Sequence, residues 1–342
     1  MSSKSIKKGV LLVNLGTPDS PSVSDVRRYL REFLMDERVI DIPFVQRWLL
    51  INLIIATFRS PKSAKEYQKL WDERGSPLKY YGEDNTAALQ QQLGDAYVVK
   101  LAMRYQNPSI LLGLEALRSE NVSEIIVIPL FPQYASASTG SVVQKVNEIV
   151  NKWQVIPTMR FVNKFWDHPG YIEGFVIQAK EMMAKTDYDY FVFSYHGLPE
   201  RQIIKASSQG YCQINGKCCS NYNAKNQYCY RAQCFQTSEL LAKGLSLEKS
   251  QYTTTFQSRL GKTPWIQPYT DEVLKELPAQ GIKKVLAFSP AFVADCLETT
   301  IEVGETFQEE FLESGGEQWD LVPSLNNSQV WVDGLVDMVK IY

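Results

Sequence analysis

Short apolar segments of strand length alternate with helix-length segments along most of the chain, and this alternation restricts the fold more than any other feature. Six segments rich in apolar and β-branched residues predict strands: Gly9–Leu15, Tyr97–Met103, Glu124–Leu130, Asp189–Ser194, Tyr252–Phe256 and Lys284–Ser289. Helical patterns lie between them, including Asp25–Leu34, Ser141–Lys152, Gly170–Ala184 and Arg231–Lys243. Near-continuous apolar strands separated by helices are typical of a parallel sheet with helices on both faces.

The two halves of the chain repeat one pattern. Leu11–Pro18 resembles Phe191–Pro199, and Ile125–Pro132 resembles Val285–Pro290, because each is an apolar strand that runs into a turn with Gly or Pro. We therefore predict an α/β fold of two similar Rossmann-like, doubly wound lobes with parallel sheets and a cleft between them. The predicted bounds are 1–163 for the first lobe, 164–327 for the second, and 328–342 for a C-terminal helix that returns to the first lobe.

Composition and hydropathy exclude several classes of protein. The chain has 342 residues, 44% of them hydrophobic and 22% charged, which is typical of a globular protein with room for two domains. A net charge of −2 predicts no general affinity for nucleic acid. Val10–Leu15 is too short for a signal-peptide core, and Trp48–Phe58 is well short of the roughly 20 residues of a membrane span. We expect a cytoplasmic protein.

The chain has only two histidines, and one follows a predicted strand. His196 comes directly after Asp189–Ser194 and a tyrosine, on a turn that continues into Gly197. Ligands of open α/β sheets lie beyond the carboxyl ends of the strands, and a histidine there can accept a proton near neutral pH or bind a metal. His196 is therefore the candidate catalytic residue, with a capped turn as the alternative. His168 precedes a proline at a helix start, and we expect it to be structural.

A series of acidic residues follows the predicted strand Lys284–Ser289. At about 100° per residue, five of them share one face of a helix predicted over 295–313: Asp295, Glu298, Glu302, Glu305 and Glu309. The helix dipole favours acidic residues in the first turn, but it does not account for the later ones. A line of oxygen ligands suits a divalent cation or a proton path; the alternative is a solvated acidic face.

Five of the six cysteines lie in a short polar segment predicted to be a loop, over 211–234. They are Cys212, Cys218, Cys219, Cys229 and Cys234. Disulfides are rare in the cytosol, so the clustering favours a metal site. The spacing matches neither a common zinc motif nor a common iron–sulfur motif, and composition alone favours zinc.

A set of motifs, in order from about residue 10 to about residue 335, resembles the ferrochelatase family, the terminal enzymes of haem synthesis. The motifs are NLGTP at 14–18, RSPK at 59–62 with Tyr67, GSP at 75–77, MRY at 103–105, FPQY at 131–134 with STG at 138–140, SYHGLP at 194–199, FQSRLG at 256–261, PWIQPY at 264–269 and DCLET at 295–299. The family fold is two Rossmann-like lobes with the porphyrin between them.

The resemblance implies a lyase that inserts Fe²⁺ into protoporphyrin IX to make haem, with the porphyrin and ferrous iron as its substrates. It assigns His196 to accept pyrrole protons or to contact the metal, with Glu298 facing it across the ring. Glu302 and Asp295 would belong to an acidic path that leads the metal inward. Metal insertion must remove two N–H protons and seat a cation in their place, and a neutral imidazole opposite a carboxylate can do both.

The resemblance also implies a set of porphyrin contacts: Leu15, Arg59, Tyr67, Ser76, Arg104, Tyr134 and Trp265. It identifies the apolar segment 43–58 as a lip over the pocket, formed by Phe44, Trp48, Leu49, Ile51, Leu53 and Ile54. Such a lip would receive a poorly soluble porphyrin and rest on the inner face of the membrane, as in a peripheral protein. A core helix is the alternative.

The resemblance changes the expectation for the cysteine loop. Some ferrochelatases carry a [2Fe–2S] cluster, certain bacterial ones through cysteines inside the chain. We expect the cluster ligands to be Cys212, Cys219, Cys229 and Cys234, with Cys218 as the alternative because adjacent residues rarely both reach one centre. Zinc remains the alternative metal.

Two residues depart from the family pattern. Leu15 stands where others have methionine or tyrosine beside the metal and cannot ligate, and Cys296 stands where many have histidine. Alternative functions are a coproporphyrin ferrochelatase, a two-lobed metal or tetrapyrrole binding protein, and a chelatase that loads cobalt into a precursor ring. The apolar lip favours protoporphyrin.

Overall fold

The computed structural model describes residues 6–261 and 263–341. Residues 1–5 of the predicted first lobe and Tyr342 of the predicted C-terminal helix lie outside the described residues. The described chain divides into two compact units. The first contains the described residues of Met1–Phe131, Ser136–Lys164 and Val332–Tyr342, and the second contains Pro132–Ala135 and Phe165–Trp331.

The first unit is built on a parallel sheet. Its strands are β1 (Lys8–Gly16), β2 (Tyr97–Tyr105), β3 (Glu124–Pro129) and β4 (Thr158–Phe161), in the order β2-β1-β3-β4. Val10, Leu11, Leu12 and Val13 are all fully buried because both faces of the central strand are covered. This is why β1 is a continuous apolar run and does not alternate.

The second unit repeats this arrangement. Its strands are β5 (Tyr190–His196), β6 (Tyr252–Gln257), β7 (Lys284–Phe288) and β8 (Gln318–Leu321), all parallel and in the order β6-β5-β7-β8. The two sheets therefore share one strand order, and the prediction of an α/β fold with two similar parallel sheets is confirmed. The edge strands β4 and β8 were not predicted from the sequence.

Helices connect the strands of both sheets. They are α1 (Val23–Met35), α2 (Phe44–Leu49), α3 (Ala56–Phe58), α4 (Ser60–Leu70), α5 (Pro77–Leu93), α6 (Ile110–Ser119), α7 (Ser141–Val150), α8 (Pro169–Met183), α9 (Glu200–Ala206), α10 (Tyr230–Gly244), α11 (Thr270–Glu276), α12 (Phe307–Glu313) and α13 (Gln329–Ile341). Short 3₁₀ turns cover Gly94–Ala96, Ser208–Gly210, Lys217–Ser220, Lys249–Gln251 and Pro278–Gln280. Within the described ranges, no helix is both long and apolar enough to cross a bilayer.

Three segments are π-helical: Leu50–Ile55, Ser136–Gly140 and Leu297–Thr306. The regular α-helix predicted over 295–313 is therefore wrong. Asp295 precedes the helical segment, Cys296 is its N-cap, and α12 begins only at Phe307. Hydrogen bonds from residue i to i+5 place more residues in each turn than an α-helix has, so the 100° period used for the acidic face does not hold here.

The strand order determines where each unit can bind a ligand. In each sheet the first strand of the unit lies between the second and the third. The second strand is therefore added on one side of the first strand, and the third strand is added on the other side. Ligands of such sheets bind beyond the carboxyl ends of the strands at this point. The ends of β5 and β7 mark this position in the second unit, and those of β1 and β3 mark it in the first.

Candidate active site

His196 is the last residue of β5 and lies at the carboxyl edge of the second sheet, partly exposed. The next residue, Gly197, donates its backbone N–H to the carbonyl of Gln257 over 2.8 Å. The Nδ1 of His196 lies 2.7 Å from the Gly197 carbonyl oxygen. A carbonyl oxygen can only accept, so Nδ1 carries the hydrogen and the neutral ring keeps its lone pair on Nε2. The turn therefore fixes a histidine that can accept a proton or contact a metal.

Two carboxylates lie beside this histidine in the second unit. Glu298 stands in the first turn of the π-helical segment, and Glu302 follows one turn later. The Nε2 of Gln257 donates to the Glu298 carbonyl over 2.9 Å and to the Glu302 carboxylate over 3.2 Å. Gln257 is also the residue of β6 that pairs with His196 of β5. The Gln257 side chain therefore holds the π-helical segment next to the end of β5.

Glu302 holds its proton more strongly than an exposed glutamate. Burial raises the pKa of Glu302, and the charge of Glu298 adds to this rise. The hydroxyl of Ser258, which donates to the Glu302 carboxylate over 2.6 Å, and the charge of His196 lower the pKa in opposition. His196, Glu298 and Glu302 therefore form one electrostatic group, in which a proton can be held close to the histidine.

Gln257 and Ser258 were not among the site residues predicted from the sequence. Both lie at the end of β6, where Gln257 closes the strand and Ser258 follows it with a left-handed backbone, φ +66°. The available signal was a pair of polar residues at the carboxyl end of a buried strand, which is where ligands of this fold bind. Their contacts to the acidic segment are tertiary and have no signature in the local sequence.

The other predicted acidic residues lie elsewhere. The Asp295 carboxylate accepts the backbone N–H of Ser324 over 3.0 Å and the side-chain amide of Asn326 over 2.8 Å, so it holds a loop together. Glu305 and Glu309 are exposed. The structure thus brings two of the five predicted carboxylates, Glu298 and Glu302, into the group with His196.

Cys296 precedes this acidic segment as its N-cap. Its side chain is buried, and burial raises the pKa of the thiol well above its usual range. The thiol therefore stays protonated in the metal-free protein, and its sulfur accepts the backbone N–H of Thr299 at the start of the segment.

In the first unit, the predicted porphyrin contacts occupy several elements. Leu15 is near the end of β1, and Ser76 is buried, accepting the hydroxyl of Thr17 just beyond the same strand over 2.9 Å. Tyr67 is buried on α4, whereas Arg59 is exposed at the N-terminus of that helix. Leu15 and Ser76 therefore lie at the carboxyl edge of the sheet, where ligands of this fold bind.

Arg104 is already engaged by its own unit. Its guanidinium donates to the Asp36 carboxylate and to the Ser141 hydroxyl, each over 2.6 Å. Ser141 and Tyr105 also donate to Asp36, over 2.5 and 2.9 Å. These hydrogen bonds hold the pKa of Asp36 below its usual range despite burial. The ion pair between Arg104 and Asp36 is largely buried and held by several hydrogen bonds. Arg104 is therefore a rigidly held cation at the end of β2.

The second unit contains the remaining two predicted porphyrin contacts. Trp265 lies beside the turn after His196, where its backbone forms an antiparallel β-bridge with Pro199. Its indole N–H donates to the Leu260 carbonyl over 3.0 Å. The backbone N–H of Tyr134 donates to the side-chain carbonyl oxygen of Gln233 over 2.7 Å, and the Tyr134 ring packs edge-on against Tyr228. Both side chains are partly exposed.

The predicted lip is an exposed apolar surface of the first unit. Of its six predicted residues, Ile51 is fully buried and the others are exposed: Phe44, Trp48, Leu49, Leu53 and Ile54. Val45 and Phe58 extend this surface. A core helix would bury these side chains, so the core-helix alternative is wrong for all but Ile51. Contiguous exposed apolar surface of this kind marks interaction sites.

The cysteine loop contains four thiols around one small, partly open cavity. Cys212, Cys218, Cys219 and Cys229 line it. Cys234 does not: it is fully buried on α10 and hydrogen-bonded to Tyr230, and burial raises the pKa of its thiol. Among the described residues, no three His, Cys, Asp or Glu side chains lie close enough together to hold a metal ion directly.

Cys229 is the most acidic of these thiols. A hydrogen bond from Cys219 lowers the pKa of Cys229 to about 7, and the Arg231 guanidinium acts in the same direction, while the pKa of Cys219 is raised in return. Thiolates are the sulfur ligands of zinc and iron–sulfur centres. The thiols of this cavity are thus of the donor type that such centres use, but among the described residues no three of them converge on one ion position.

Comparisons with known proteins show the family of the chain. Residues 7–341 match the family model for ferrochelatase. The chain is 46% identical to the ferrochelatase of Legionella pneumophila (strain Lens) over 336 residues, 98% of this chain and 99% of that protein. It is 45% identical to the ferrochelatase of Coxiella burnetii (strain Dugway 5J108-111) over 335 residues, 98% of this chain and 93% of that protein.

A solved structure supports the fold. SirB from Bacillus subtilis, determined with Fe³⁺, aligns with a TM-score of 0.55 at 11% identity over 98% of this chain and 95% of that chain. At this identity the likeness concerns the α/β architecture.

Proposed function

The chain belongs to the ferrochelatase family, and we propose that it inserts Fe²⁺ into protoporphyrin IX to form haem, the final step of haem synthesis. The observation that carries the proposal is the group of His196, Glu298 and Glu302 at the carboxyl ends of β5 and β7. In the net reaction the porphyrin loses its two pyrrole N–H protons and gains the ferrous ion.

Each residue of the group has a separate role in this proposal. The Nε2 lone pair of His196 accepts a pyrrole proton, since its Nδ1 hydrogen is engaged by the Gly197 carbonyl. Glu298 supplies a carboxylate that attracts the ferrous ion and can take the second proton. Glu302 receives protons from these two groups, because its raised pKa lets it hold one. Asp295 contributes by holding the loop that precedes Glu298.

Insertion of Fe²⁺ or Zn²⁺ into protoporphyrin tests this assignment. His196→Ala should bind porphyrin but retain less than about a tenth of the wild-type kcat, a loss of at least about 1.4 kcal/mol in transition-state stabilisation. Glu298→Gln should be nearly inactive, whereas Glu309→Gln, which changes an exposed residue of α12, should be nearly normal. Equal losses in both glutamate variants would mean that the acidic segment acts as a diffuse charge. Activity of His196→Ala near that of the wild type would remove this residue from the mechanism.

The porphyrin preference follows from the same assay. In the first unit, Arg59, Tyr67 and Ser76 would contact the propionates, and Leu15 and Arg104 would add further porphyrin contacts. In the second unit, Tyr134 and Trp265 would supply porphyrin contacts. Protoporphyrin carries fewer carboxylates than coproporphyrin, and the exposed apolar lip suits the less polar ring. A higher kcat/KM with coproporphyrin would favour the coproporphyrin alternative.

The exposed lip also supports contact with a membrane surface. Its side chains, among them Phe44, Trp48 and Leu53, lie on one short helical segment and are about half exposed or more. Burial of such side chains at the boundary between headgroups and acyl chains would give reversible binding without a membrane span. This arrangement would place the site for a poorly soluble porphyrin at the membrane that contains it.

The cysteine loop would hold a [2Fe–2S] cluster through Cys212, Cys219, Cys229 and a fourth thiol. Cys218, which lines the same cavity, is better placed for the fourth position than Cys234, which is buried against Tyr230. The cluster would supply a structural or sensing centre, because iron insertion transfers no electrons.

Anaerobically purified protein provides the test of the cluster. We expect visible absorption and equal amounts of iron and sulfide, lost in Cys229→Ser and retained in Cys234→Ser. A colourless protein with one zinc per chain would replace the cluster with zinc and keep the site. Retention of the cluster in Cys218→Ser, together with its loss in Cys234→Ser, would reverse the choice of the fourth ligand.

A further inference from the structure

Tyr230 connects the cysteine loop to the turn His196–Leu198, here called the catalytic turn. Its hydroxyl donates to the backbone carbonyl of His196 over 2.8 Å, and its side chain is 7% exposed. It is also the first residue of α10, whose N-cap is Cys229, one of the thiols that line the cysteine cavity. The residue that donates a buried hydrogen bond to His196 is therefore the direct neighbour in sequence of Cys229, whose thiol lines the cavity.

The next residue forms a second connection. The Arg231 guanidinium donates to the Ile214 carbonyl in the cysteine loop and, over 2.7 Å, to the Gln267 carbonyl. The chain around Gln267 is paired with the end of the catalytic turn, since Ile266 donates its N–H to the Leu198 carbonyl over 3.0 Å. Within residues 229–231, Cys229 belongs to the cysteine loop and Tyr230 contacts the turn that contains His196. Arg231 contacts the cysteine loop and the chain around Gln267, which is paired with the last residue of that turn.

We propose that Tyr230 is a positioning residue for His196, through which the state of the cysteine loop alters the rate of metal insertion. The proposal rests on the role of His196 in the proposed function. Tyr230 fixes the peptide group between His196 and Gly197 at its oxygen, and the next carbonyl, that of Gly197, accepts the Nδ1 hydrogen of the imidazole. A movement of Cys229 shifts Tyr230, and the peptide and the ring then move together.

Removal of one hydroxyl group tests the kinetic consequence. Tyr230→Phe should lower kcat by roughly 3- to 10-fold, the effect of one buried hydrogen bond, with the KM for protoporphyrin unchanged. Tyr195→Phe is the matched control, because Tyr195 is also fully buried but its hydroxyl pairs with Ser238 over 3.0 Å. A normal kcat in Tyr230→Phe, or equal losses in both variants, would overturn the proposal.

A measurement independent of activity uses the small number of histidines. Protein labelled with [1-¹³C]histidine has two carbonyl signals, and His168→Asn identifies the one from His196, asparagine being a good helix N-cap. In the metal-free protein, Tyr230→Phe should shift the His196 signal and Tyr195→Phe should not. Addition of Fe³⁺ with sulfide, or of Zn²⁺ alone, should shift that signal in the wild type, less in Tyr230→Phe, and not in Cys229→Ser. The last variant separates binding at the cysteine loop from binding of metal at His196 itself.

The outcomes separate this proposal from the proposed function. A wild-type protein that inserts no metal but shows the shifts would disprove the function and leave the connection intact. A wild-type protein that inserts iron, with a His196 signal that responds neither to Tyr230→Phe nor to either metal addition, would disprove the connection alone.

Discussion

Gly197→Ala should disturb the catalytic turn by far more than the size of a methyl group suggests. A Cβ built at Gly197 would lie 2.8 Å from the Gln257 carbonyl oxygen and 3.2 Å from Cε3 of Trp265. The nearer atom belongs to the backbone of β6, and the same oxygen accepts the Gly197 N–H over 2.8 Å. Neither the strand nor this hydrogen bond can move freely, so the turn has to move away.

The magnitude follows from the cost of overpacking. A methyl group forced into a filled site costs about 1–3 kcal/mol of folding free energy, or roughly 2–4 °C in melting temperature for each kcal/mol in a domain of this size. The turn also orients the His196 ring through the Gly197 carbonyl. We therefore expect kcat to fall by at least about tenfold, a loss of about 1.4 kcal/mol, while porphyrin binding changes less.

Gly304→Ala is the control for the same chemical change. A Cβ at Gly304 would meet its nearest neighbours at 3.5 and 3.6 Å, which is ordinary contact, within a helical segment. Alanine should be neutral there or stabilising by about 0.5–1 kcal/mol. Thermal unfolding and zinc insertion should be compared for both variants. Equal melting temperatures and equal kcat values in Gly197→Ala and Gly304→Ala would refute the argument from close contact at the turn.

Two further predictions concern the acidic group and the lip. Because the folded-state pKa of Glu302 is raised, its contribution to stability is complete below the unfolded pKa and is lost as the pH rises through the folded pKa. The melting temperature of Glu302→Gln minus that of the wild type should therefore increase as the pH is raised from about 4 to about 8. A difference in melting temperature that does not change with pH would contradict the raised pKa of Glu302. Wild-type protein should float with lipid vesicles, and replacement of Trp48 and Leu49 by Ser should weaken flotation. Replacement of Val155, an exposed apolar residue outside the segment 43–58, should not, and absence of wild-type flotation would contradict membrane contact.

The sequence predicted the central strands of both sheets because strands covered on both faces are continuous apolar runs. The edge strands β4 and β8 have four residues each, with exposed or partly exposed positions, and carry no such signal. His196 could be found because it is one of two histidines and follows a buried strand. Its contacts with Tyr230 and Gln257 depend on residues distant in the sequence, and only the fold brings them together.

The choice between Cys218 and Cys234 as the fourth ligand depends on local structure. The spacing favours Cys234, because adjacent residues such as Cys218 and Cys219 rarely both reach one centre. The 3₁₀ turn Lys217–Ser220 places both Cys218 and Cys219 against the cavity, whereas α10 carries Cys234 into the core. Residue spacing alone contained no information on that turn.

The π-helical segment Leu297–Thr306 makes the number of residues in this region as important as their identity. Its first turn is held by Gln257 at the acidic group, and α12 directly after it places Phe307 and Phe311 in the core beside Trp319. Deletion of one residue would let the segment take the α-helical pitch, but it would rotate one end against the other by about 100°. Either the carboxylates or the phenylalanines would then lose their partners. Insertions and deletions, which a substitution scan never samples, are thus the changes to which this segment is least tolerant.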